Sequence, residues 1–285
     1  MSNQRIAIIT DSTSDLSPEM REKYGITVVP QHIIWGTEEL LDGVDIQPET
    51  FYKRLTTDPV HPKSSQPTPQ TFLRYVNEAK AAGAEEVVIL TVSNQLSGTI
   101  LSAQGAAEQA DIPVHVIDSM SASMGLGYQA IAAAEVRAQG GNAEAMRAAA
   151  DKVRSTMQIY LTVDTLEYLH RGGRIGGAAK LVGTALQLKP MLMLDHSAGR
   201  IEAVERTRTR AKAVDAMYNT FFSKLDTSRP MHLCVIHADS MGDAQALAQR
   251  VKSDYNPASL QITNVTPVIG VHVGPGTLAL VGYTA

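Results

Sequence analysis

EVVILTVSNQLSGT, residues 86–99, is the stretch that decides the fold. Its first seven residues form an apolar run that predicts a buried strand, and polar residues 93–95 follow. The motif SGT at residues 97–99 then opens a predicted helix whose apolar face carries Ile100, Ala103, Ala106 and Ala110. A strand, a polar loop and a helix in this order are typical of α/β architecture.

The same alternation extends in both directions along the chain. A strand at residues 6–9 leads through a polar stretch into a helix that Ser17 caps and Pro18 begins. Further along, Asn142 caps a helix that runs towards Met157, and the pattern changes beyond it. We therefore expect two α/β domains, residues 1–155 and residues 156–285, with the boundary near Ser155.

Three pairs of neighbouring strands are also predicted from short apolar runs bounded by turn residues. They are residues 26–29 with 31–35, residues 192–194 with 201–206, and residues 268–272 with 278–283. The second pair flanks a turn at residues 195–199 and is expected to be a hairpin.

The composition excludes several classes of protein. With 44% hydrophobic and 19% charged residues among its 285, the chain can bury real cores and is not disordered. Its net charge of −4 does not indicate the basic surface that nucleic-acid-binding proteins have. No apolar stretch approaches the ~20 residues that span a bilayer, and no signal segment precedes the first strand. We therefore expect a cytoplasmic protein whose single cysteine, Cys234, is a buried hydrophobe.

Four loops rich in hydroxyl side chains are expected at the carboxyl ends of strands, where open α/β sheets bind ligands. They cover residues 10–14, 62–68, 93–99 and 118–123. The loop that reaches Thr99 also starts a helix, whose backbone N–H groups and dipole favour an anion. Capping of the helix backbone is the simpler interpretation of any one loop. Both interpretations stay open at this point.

The sequence fingerprints of common enzyme sites are missing. There is no G-x-x-x-x-G-K-[ST] phosphate loop, no G-x-G-x-x-G after a strand and no G-x-S-x-G elbow. Asp11 follows the first strand, but Thr13 stands where a phosphoryl-accepting site would have a second aspartate, which favours a structural Asx turn. His237 and Asp239 lack a third ligand at a telling spacing, so no metal site is predicted.

Two features have two interpretations each. His272 lies in an apolar run, where it is either a core residue with satisfied hydrogen bonds or a ligand-binding residue. Five arginines cluster in RGGR at residues 171–174 and RTRTR at residues 206–210. They form either solvated turns or a patch for phosphate or an acidic partner surface.

Taken in order, these motifs resemble the DegV family, the fatty-acid-binding proteins that serve as the acyl-carrying subunit of bacterial fatty acid kinase. The resemblance runs from end to end, and each motif alone is weak while the ordered set is highly specific. The motifs are TDSTSD (10–15), SSQPTP (64–69), LSGT (96–99) followed by Ser102 and Ala103, DS (118–119), YL (168–169), RGGRI (171–175), KP (189–190), RT (206–207) and HVGPG (272–276).

The resemblance implies an α/β fold with two α/β domains and a long-chain fatty acid, such as hexadecanoate, in a cleft or tunnel between them. Two loops and the histidine near the C-terminus would hold the carboxylate, through Ser64, Ser65, Ser93, Ser97 and His272. Arg174 and Arg206 match positions suited to docking a kinase or binding a phosphorylated head group.

The same resemblance implies a carrier with no catalytic residue, metal or cofactor of its own. A separate ATP-dependent fatty acid kinase would be its partner and would make the acyl phosphate, as a step in phospholipid metabolism. Transient membrane contact fits this role, whereas a nucleic-acid partner does not.

The chain departs from the family pattern at three positions. The family more often has threonine at Ser64, a second serine at Asn94 and an aromatic residue at Ile100. Asn94 can still donate a hydrogen bond, whereas Ile100 would reshape the tunnel. Two other functions are the alternatives: an enzyme on a phosphorylated or carboxylated small molecule, with Asp11 or His272 catalytic, and a lipid sensor that binds a protein through residues 206–210.

Overall fold

A parallel sheet organises the first half of the chain and a mostly antiparallel sheet the second. The computed structural model describes residues 5–181 and 189–285. The strands in these residues are β1 (Ile6–Asp11), β2 (Ile26–Val29), β3 (His32–Trp35), β4 (Glu38–Leu41), β5 (Lys63–Ser65), β6 (Glu86–Thr91), β7 (Val114–Asp118), β8 (Gln158–Thr162), β9 (Lys189–Asp195), β10 (Arg200–Thr207), β11 (Met231–His237), β12 (Ser259–Asn264) and β13 (Leu278–Thr284).

The helices of the same residues follow the capping residues that the sequence predicts, with Ser17, Thr68 and Asn142 each accepting a backbone hydrogen bond at an N-terminus. They are α1 (Pro18–Tyr24), α2 (Pro48–Thr57), α3 (Pro69–Ala81), α4 (Thr99–Ala107), α5 (Met124–Ala138), α6 (Ala143–Thr156), α7 (Glu167–Arg171), α8 (Arg210–Lys224), α9 (Met241–Asp254) and α10 (Pro267–Val273).

The four-stranded sheet has the order β2-β1-β6-β7, and all of its pairs are parallel. Both of its faces are covered, which explains the unbroken apolar run of β6. Side chains alternate between faces along a strand, so Val87 and Ile89 pack in a cluster with α3 and α4. Val88 and Leu90 pack in the cluster that contains α5.

The six-stranded sheet has the order β10-β9-β8-β13-β11-β12. Only β11 and β12 pair in parallel, and the other neighbours are antiparallel. The predicted hairpin is confirmed, because β9 and β10 pair antiparallel around residues 195–199. Helices α8 and α9 contribute buried side chains, among them Phe221 and Leu247, to the cluster on one face.

The first predicted strand pair is wrong in its pairing. β2 and β3 exist, but β2 pairs with β1, whereas β3 pairs with β4 and β5 in a separate three-stranded sheet. Pro30 stands between them and has no N–H for a sheet hydrogen bond, so the chain leaves one sheet there and enters another. The proline-rich stretch at residues 62–68 accordingly supplies only a short edge strand, β5.

The last predicted strand pair is also wrong, because residues 268–272 belong to helix α10. Pro267 takes the first helical position, and Gly274 follows the last with φ 72°. Tertiary packing outweighs the β-branched composition of this segment. A Cβ at Gly270 would lie 2.7 Å from atoms of Phe51 and Tyr52, so α10 can approach α2 closely only with glycine there.

The two sheets divide near the expected boundary, since α6 ends at Thr156 and β8 starts the second sheet at Gln158. The exact boundary near Ser155 stays a prediction, and residues 1–4 of the expected first domain lie outside the described residues. One hydrophobic cluster contains side chains of both sheets, among them Leu90 and Leu192. In the part of the chain described, no helix has the length and apolarity needed to cross a membrane.

Candidate functional site

Three of the four hydroxyl-rich loops, residues 10–14, 93–99 and 118–123, meet at one edge of the parallel sheet because β1, β6 and β7 run in the same direction. The prediction is wrong for residues 62–68, which follow α2 instead of a strand and form β5 of the three-stranded sheet. Backbone hydrogen bonds join the three loops: Ser93 N donates to Ser121 O at 2.8 Å, and Ser123 N donates to Thr13 O at 2.7 Å. Many of their side chains serve this structure. Capping and loop bracing therefore account for part of the hydroxyl pattern.

Asp11 is one of these structural groups. Its Oδ1 accepts Thr13 N at 3.0 Å, and its Oδ2 accepts Val92 N at 2.9 Å. The side chain is fully buried, and burial raises its pKa against the opposing hydrogen bonds. The predicted Asx turn is confirmed, and both carboxylate oxygens are occupied.

A cavity of about 200 Å³ opens beside these loops and draws its walls from both sheets. Apolar side chains form most of the wall: Val92, Leu96, Ala122, Leu169, Leu194, Ile201, Val268, Ile269 and Val273. Its polar members are Thr13, Gln31, Ser64, Ser65, Gln66, Ser97, Arg174 and His272. An apolar pocket with a few converging polar groups is the usual form of a small-molecule site.

Ser64 and His272 form the central polar contact of this cavity. Ser64 lies on β5 and His272 on α10, and Ser64 Oγ is 2.7 Å from His272 Nε2. Burial lowers the pKa of His272 to about 4, and the charge of Arg174 adds to this effect. The imidazole is therefore neutral near pH 7, with one N–H. Within residues 5–181 and 189–285, its Nδ1 has no hydrogen-bond partner.

Ser97 reaches the cavity from the loop that precedes α4. Its Oγ lies 2.9 Å from Thr99 Oγ1, and Thr99 N approaches it at 3.4 Å. Gln66 packs against the adjacent Gly98, where a Cβ would lie 2.8 Å from Gln66 Nε2. This close approach joins the SSQPTP and LSGT loops, so Ser64, Ser65 and Ser97 line one cavity.

Arg174 supplies the positive charge of the cavity. Its Nε donates to Leu96 O and its Nη1 to Gly172 O, each at 2.8 Å, which holds the guanidinium beside His272. A second cavity, of about 240 Å³, shares Ser64, Arg174 and His272 with the first. Its remaining walls are His61, Pro62, Lys63, Arg171, Gly172 and Val271. The shared residues therefore separate an apolar space from a cationic one.

Two of the predicted site residues lie elsewhere. Ser93 is fully buried, and its hydroxyl donates to Gly199 O at 2.6 Å, so it ties the β6 loop to the β9–β10 turn rather than lining the cavity. Arg206 is exposed on β10, where it lines a surface depression with Arg208 and Lys212. Its suggested role in docking a partner stays a prediction.

The predicted arginine cluster divides into different roles. Arg210 forms ion pairs with Asp164 at 3.0 Å and Asp243 at 2.6 Å, and Arg171 pairs with Glu167. Only Arg174 of the five lies on the apolar cavity as the structure describes it. Cys234 is buried as predicted, and burial raises the pKa of its thiol. The described residues contain no group of three potential metal ligands.

Sequence reasoning missed Gln31 as a cavity residue. It follows Pro30 and directly precedes β3, and the sequence pattern predicts it only as the first residue of a strand. Its side chain is 2% exposed and donates from Nε2 to Thr99 Oγ1 at 2.9 Å. No local pattern marks this residue, because its partner is 68 positions away in the chain.

Comparison with known proteins agrees with this architecture. The family model described as an uncharacterised protein of the DegV family matches residues 5–285. A DegV domain-containing protein of Streptomyces coelicolor is 38% identical over 282 residues, which is 98% of each chain.

Solved structures extend the comparison to the fold. A structure described as fatty acid binding of a DegV family protein from Thermus thermophilus has a TM-score of 0.91 and 34% identity, covering 99% of this chain and 100% of that one. A stearic acid-binding protein from Eubacterium ventriosum has a TM-score of 0.90 and 26% identity, covering 98% of each. The two-domain α/β fold is thus shared along the whole length, and this chain belongs to the DegV family.

Proposed function

We propose that the protein binds a long-chain fatty acid, with the tail in the apolar cavity and the carboxylate at Ser64, Ser65, Ser97 and His272. The observation that carries this proposal is the Ser64–His272 pair, which joins a hydroxyl to a neutral imidazole on the wall of a mainly apolar cavity. Two similar proteins, from Thermus thermophilus and Eubacterium ventriosum, are described as binding a fatty acid and stearic acid.

The free energy of burying such a ligand agrees with the mainly apolar wall of the cavity. Burying a sixteen-carbon tail is worth roughly 0.8 kcal/mol per methylene, or on the order of 10 kcal/mol before the cost of association. The carboxylate is the costly part, because an ionised group without partners is disfavoured in an apolar site. Hydroxyl donors that converge at one end meet that need.

The neutral state of His272 sets the direction of the hydrogen bonds. A bound carboxylate accepts hydrogen bonds only, so Ser64 must donate to it. Ser64 Oγ then accepts from His272, which places the single imidazole proton on Nε2. His272 thus donates to Ser64, and Ser64 donates to the carboxylate. The anion receives a hydrogen bond in this way without a positive charge on the imidazole. Arg174, held by Leu96 O and Gly172 O, adds positive charge beside this chain.

We further propose that the protein is a carrier that presents this carboxylate to a separate ATP-dependent kinase for acyl-phosphate formation. The sequence has no phosphate loop for ATP. The second cavity, with Lys63, Arg171 and Arg174, lies beside the same polar residues and suits an incoming phosphoryl group. Arg206, exposed on β10, is our candidate for contact with the kinase.

An enzyme that uses Asp11 is disfavoured, because both oxygens of this carboxylate accept hydrogen bonds in a fully buried position. The lipid-sensor alternative is separated from the carrier by experiment. A sensor would bind a fatty acid and a protein partner, but the bound acid would stay unphosphorylated when a fatty acid kinase and ATP are added.

Mass spectrometry of the denatured, purified protein tests the first step. We expect C14–C18 fatty acids at close to one per chain, and less retained lipid in a Ser64→Ala, His272→Ala double variant that remains folded by circular dichroism. A wild-type protein with no fatty acid, and no affinity for added palmitic acid, would contradict the proposal. For the second step, ATP consumption by this chain alone would contradict a carrier role.

A further inference from the structure

A line of hydrogen bonds runs from the protein interior to Ser97. Gln31 Nε2 donates to Thr99 Oγ1 at 2.9 Å, and Thr99 Oγ1 lies 2.9 Å from Ser97 Oγ. Gln31 and Thr99 are almost completely buried, and Gln31 and Ser97 both line the cavity, where Ser97 is partly exposed. The loop that carries Ser97 is thus hydrogen-bonded, through Thr99, to Gln31 in the connection between β2 and β3.

The position of Gln31 is itself fixed on both sides of its backbone. Its N–H donates to Ser12 Oγ at 3.1 Å, and its C=O accepts from Asp42 N at 2.9 Å. The Gln31 side chain also acts on Asp11, where it opposes the rise in pKa that burial causes. The amide nitrogen is the only donor on this side chain, which explains why it faces Asp11 and Thr99.

Donor and acceptor rules then set the direction of the whole line. Thr99 Oγ1 accepts from an amide nitrogen that can only donate, and its own hydrogen is buried and needs an acceptor. Among the residues that the structure describes, Ser97 Oγ is the acceptor within hydrogen-bond distance of the Thr99 hydroxyl. Ser97 therefore receives the Thr99 hydrogen, which leaves the Ser97 hydrogen free to point into the cavity.

We propose that Gln31 and Thr99 are positioning residues that orient the Ser97 hydroxyl as a donor to the bound carboxylate. This inference rests on the proposed fatty-acid function. The line Gln31–Thr99–Ser97–carboxylate runs donor to acceptor throughout, and each hydrogen bond polarises the next. Ser97 would then give the carboxylate a second directed hydroxyl donor, in addition to Ser64.

The test compares an acid with an alcohol of the same chain length. Palmitic acid and 1-hexadecanol are titrated into delipidated protein by calorimetry, for wild type, Thr99→Val, Gln31→Met and Thr99→Ser. We expect Thr99→Val and Gln31→Met to lower palmitic acid affinity roughly 3- to 10-fold, the value of one hydrogen bond. Hexadecanol affinity should fall less than palmitic acid affinity, because a neutral hydroxyl is a weaker hydrogen-bond acceptor than a carboxylate. Thr99→Ser, which keeps the hydroxyl, should bind as wild type does.

The same variants in a Ser97→Ala background separate positioning from packing. Once Ser97 has no hydroxyl, Thr99→Val and Gln31→Met should change palmitic acid affinity by less than about 2-fold. Equal losses in both backgrounds, equal losses for acid and alcohol, or no loss for palmitic acid would each overturn the inference. Wild-type protein that binds neither ligand would instead overturn the proposed function. If Thr99→Val does not fold, Gln31→Met alone tests the inference, because both variants interrupt the same series of hydrogen bonds to Ser97.

Discussion

Ser64 Oγ lies 2.7 Å from His272 Nε2, although 208 residues separate the two in the chain. The contact exists because β5 is an edge strand of the small three-stranded sheet and α10 returns from the second sheet to pack beside α2. A weak edge strand and a seven-residue helix are thus held at the position where the two halves of the chain meet. The pair is both a structural link and the polar end of the cavity.

The first prediction is that Ser64 and His272 act as one unit in ligand binding. Ser64→Ala and His272→Ala should each weaken palmitic acid binding by about 1–3 kcal/mol, because each leaves a partner of the carboxylate unpaired. The double variant should lose less than the sum, with a coupling energy of about 0.5–3 kcal/mol. Calorimetric titration measures all three. Ser223→Ala, a change on the exposed face of α8, is the control. Strictly additive losses would contradict the coupling.

The sequence predicts the strand–loop–helix units well where both local and tertiary forces agree. Residues 86–99 carry an apolar run, a polar loop and a helix start, and each forms as expected. Parallel strands bring the loops after β1, β6 and β7 to one edge, as expected. Ser64 reaches the cavity from β5 of the three-stranded sheet, so only the resemblance to the DegV family placed it near Ser97. The resemblance to the DegV family added His272 from the far end of the chain.

The parts that could not be predicted depend on contacts between distant residues. α10 is rich in β-branched residues and resembles a strand, yet it forms a helix that begins at Pro267 and packs closely against Phe51 and Tyr52. Ser93 lies in a loop full of candidate ligands, yet its hydroxyl binds Gly199 O across 106 positions. Hydroxyl direction within a loop is set by such partners, and local spacing carries no information about them.

The second prediction concerns Gly172, which follows α7 with an ordinary φ of −76°. Alanine therefore meets no backbone strain there, but its Cβ would lie 2.1 Å from His272 Nδ1. We expect Gly172→Ala to displace the imidazole from Ser64 and to weaken palmitic acid binding at least about 10-fold, or about 1.4 kcal/mol. The effect should disappear in a His272→Ala background.

Gly242→Ala is the matched control for this variant, because a Cβ at Gly242 meets nothing within 4 Å. It should leave palmitic acid affinity unchanged and raise stability slightly, since alanine favours the helix by roughly 0.5–1 kcal/mol over glycine. Normal affinity in Gly172→Ala, or an equal loss in both backgrounds, would show that the imidazole is not displaced.

The third prediction separates two serines of one loop. Ser93→Ala removes a fully buried hydrogen bond to Gly199 O and should destabilise the protein by about 1–3 kcal/mol. Its palmitic acid affinity should change little at a temperature where the variant is folded. Ser97→Ala should do the reverse, with an affinity loss of about 1–3 kcal/mol and a small change in stability. Thermal melts and calorimetric titrations of both variants measure these changes. A larger affinity loss in Ser93→Ala than in Ser97→Ala would show that Ser93 belongs to the carboxylate-binding site.

The fourth prediction starts from two buried carboxyl groups at the N-terminal end of α10. Asp15 Oδ1 accepts from Thr266 N at 2.9 Å, and Asp42 Oδ1 accepts from Val268 N at 3.2 Å. Burial raises the pKa of Asp15 to about 6 and the pKa of Asp42 to about 7, despite their hydrogen bonds and the nearby charge of Arg21. The helix that carries His272 therefore begins on two groups that titrate near neutral pH.

The sign of the effect follows from proton binding in the two states. Unfolded aspartate titrates near pH ~3.9, so between about pH 4 and 7 the folded protein binds more protons at Asp15 and Asp42 than the unfolded chain does. Their contribution to the free energy of unfolding is full below pH ~4 and is lost as the pH rises through about 6 and 7. His272, with its pKa lowered to about 4, acts in the opposite direction and loses stability as the pH falls below ~6.5.

Asp42→Asn isolates the carboxyl contribution, because asparagine cannot ionise and still offers an oxygen to Val268 N and a donor to Ser12 Oγ. Urea unfolding from pH 5 to 8 should show that wild type loses stability towards pH 8 and that the variant loses less, by more than about 1 kcal/mol. Asp111→Asn, on an exposed side chain, should follow the wild-type slope. If Asp42→Asn keeps the full wild-type slope, Asp42 is ionised in the folded protein throughout this range. The N-terminal end of α10 would then be held by a charge, and His272 would keep its place beside Ser64 across neutral pH.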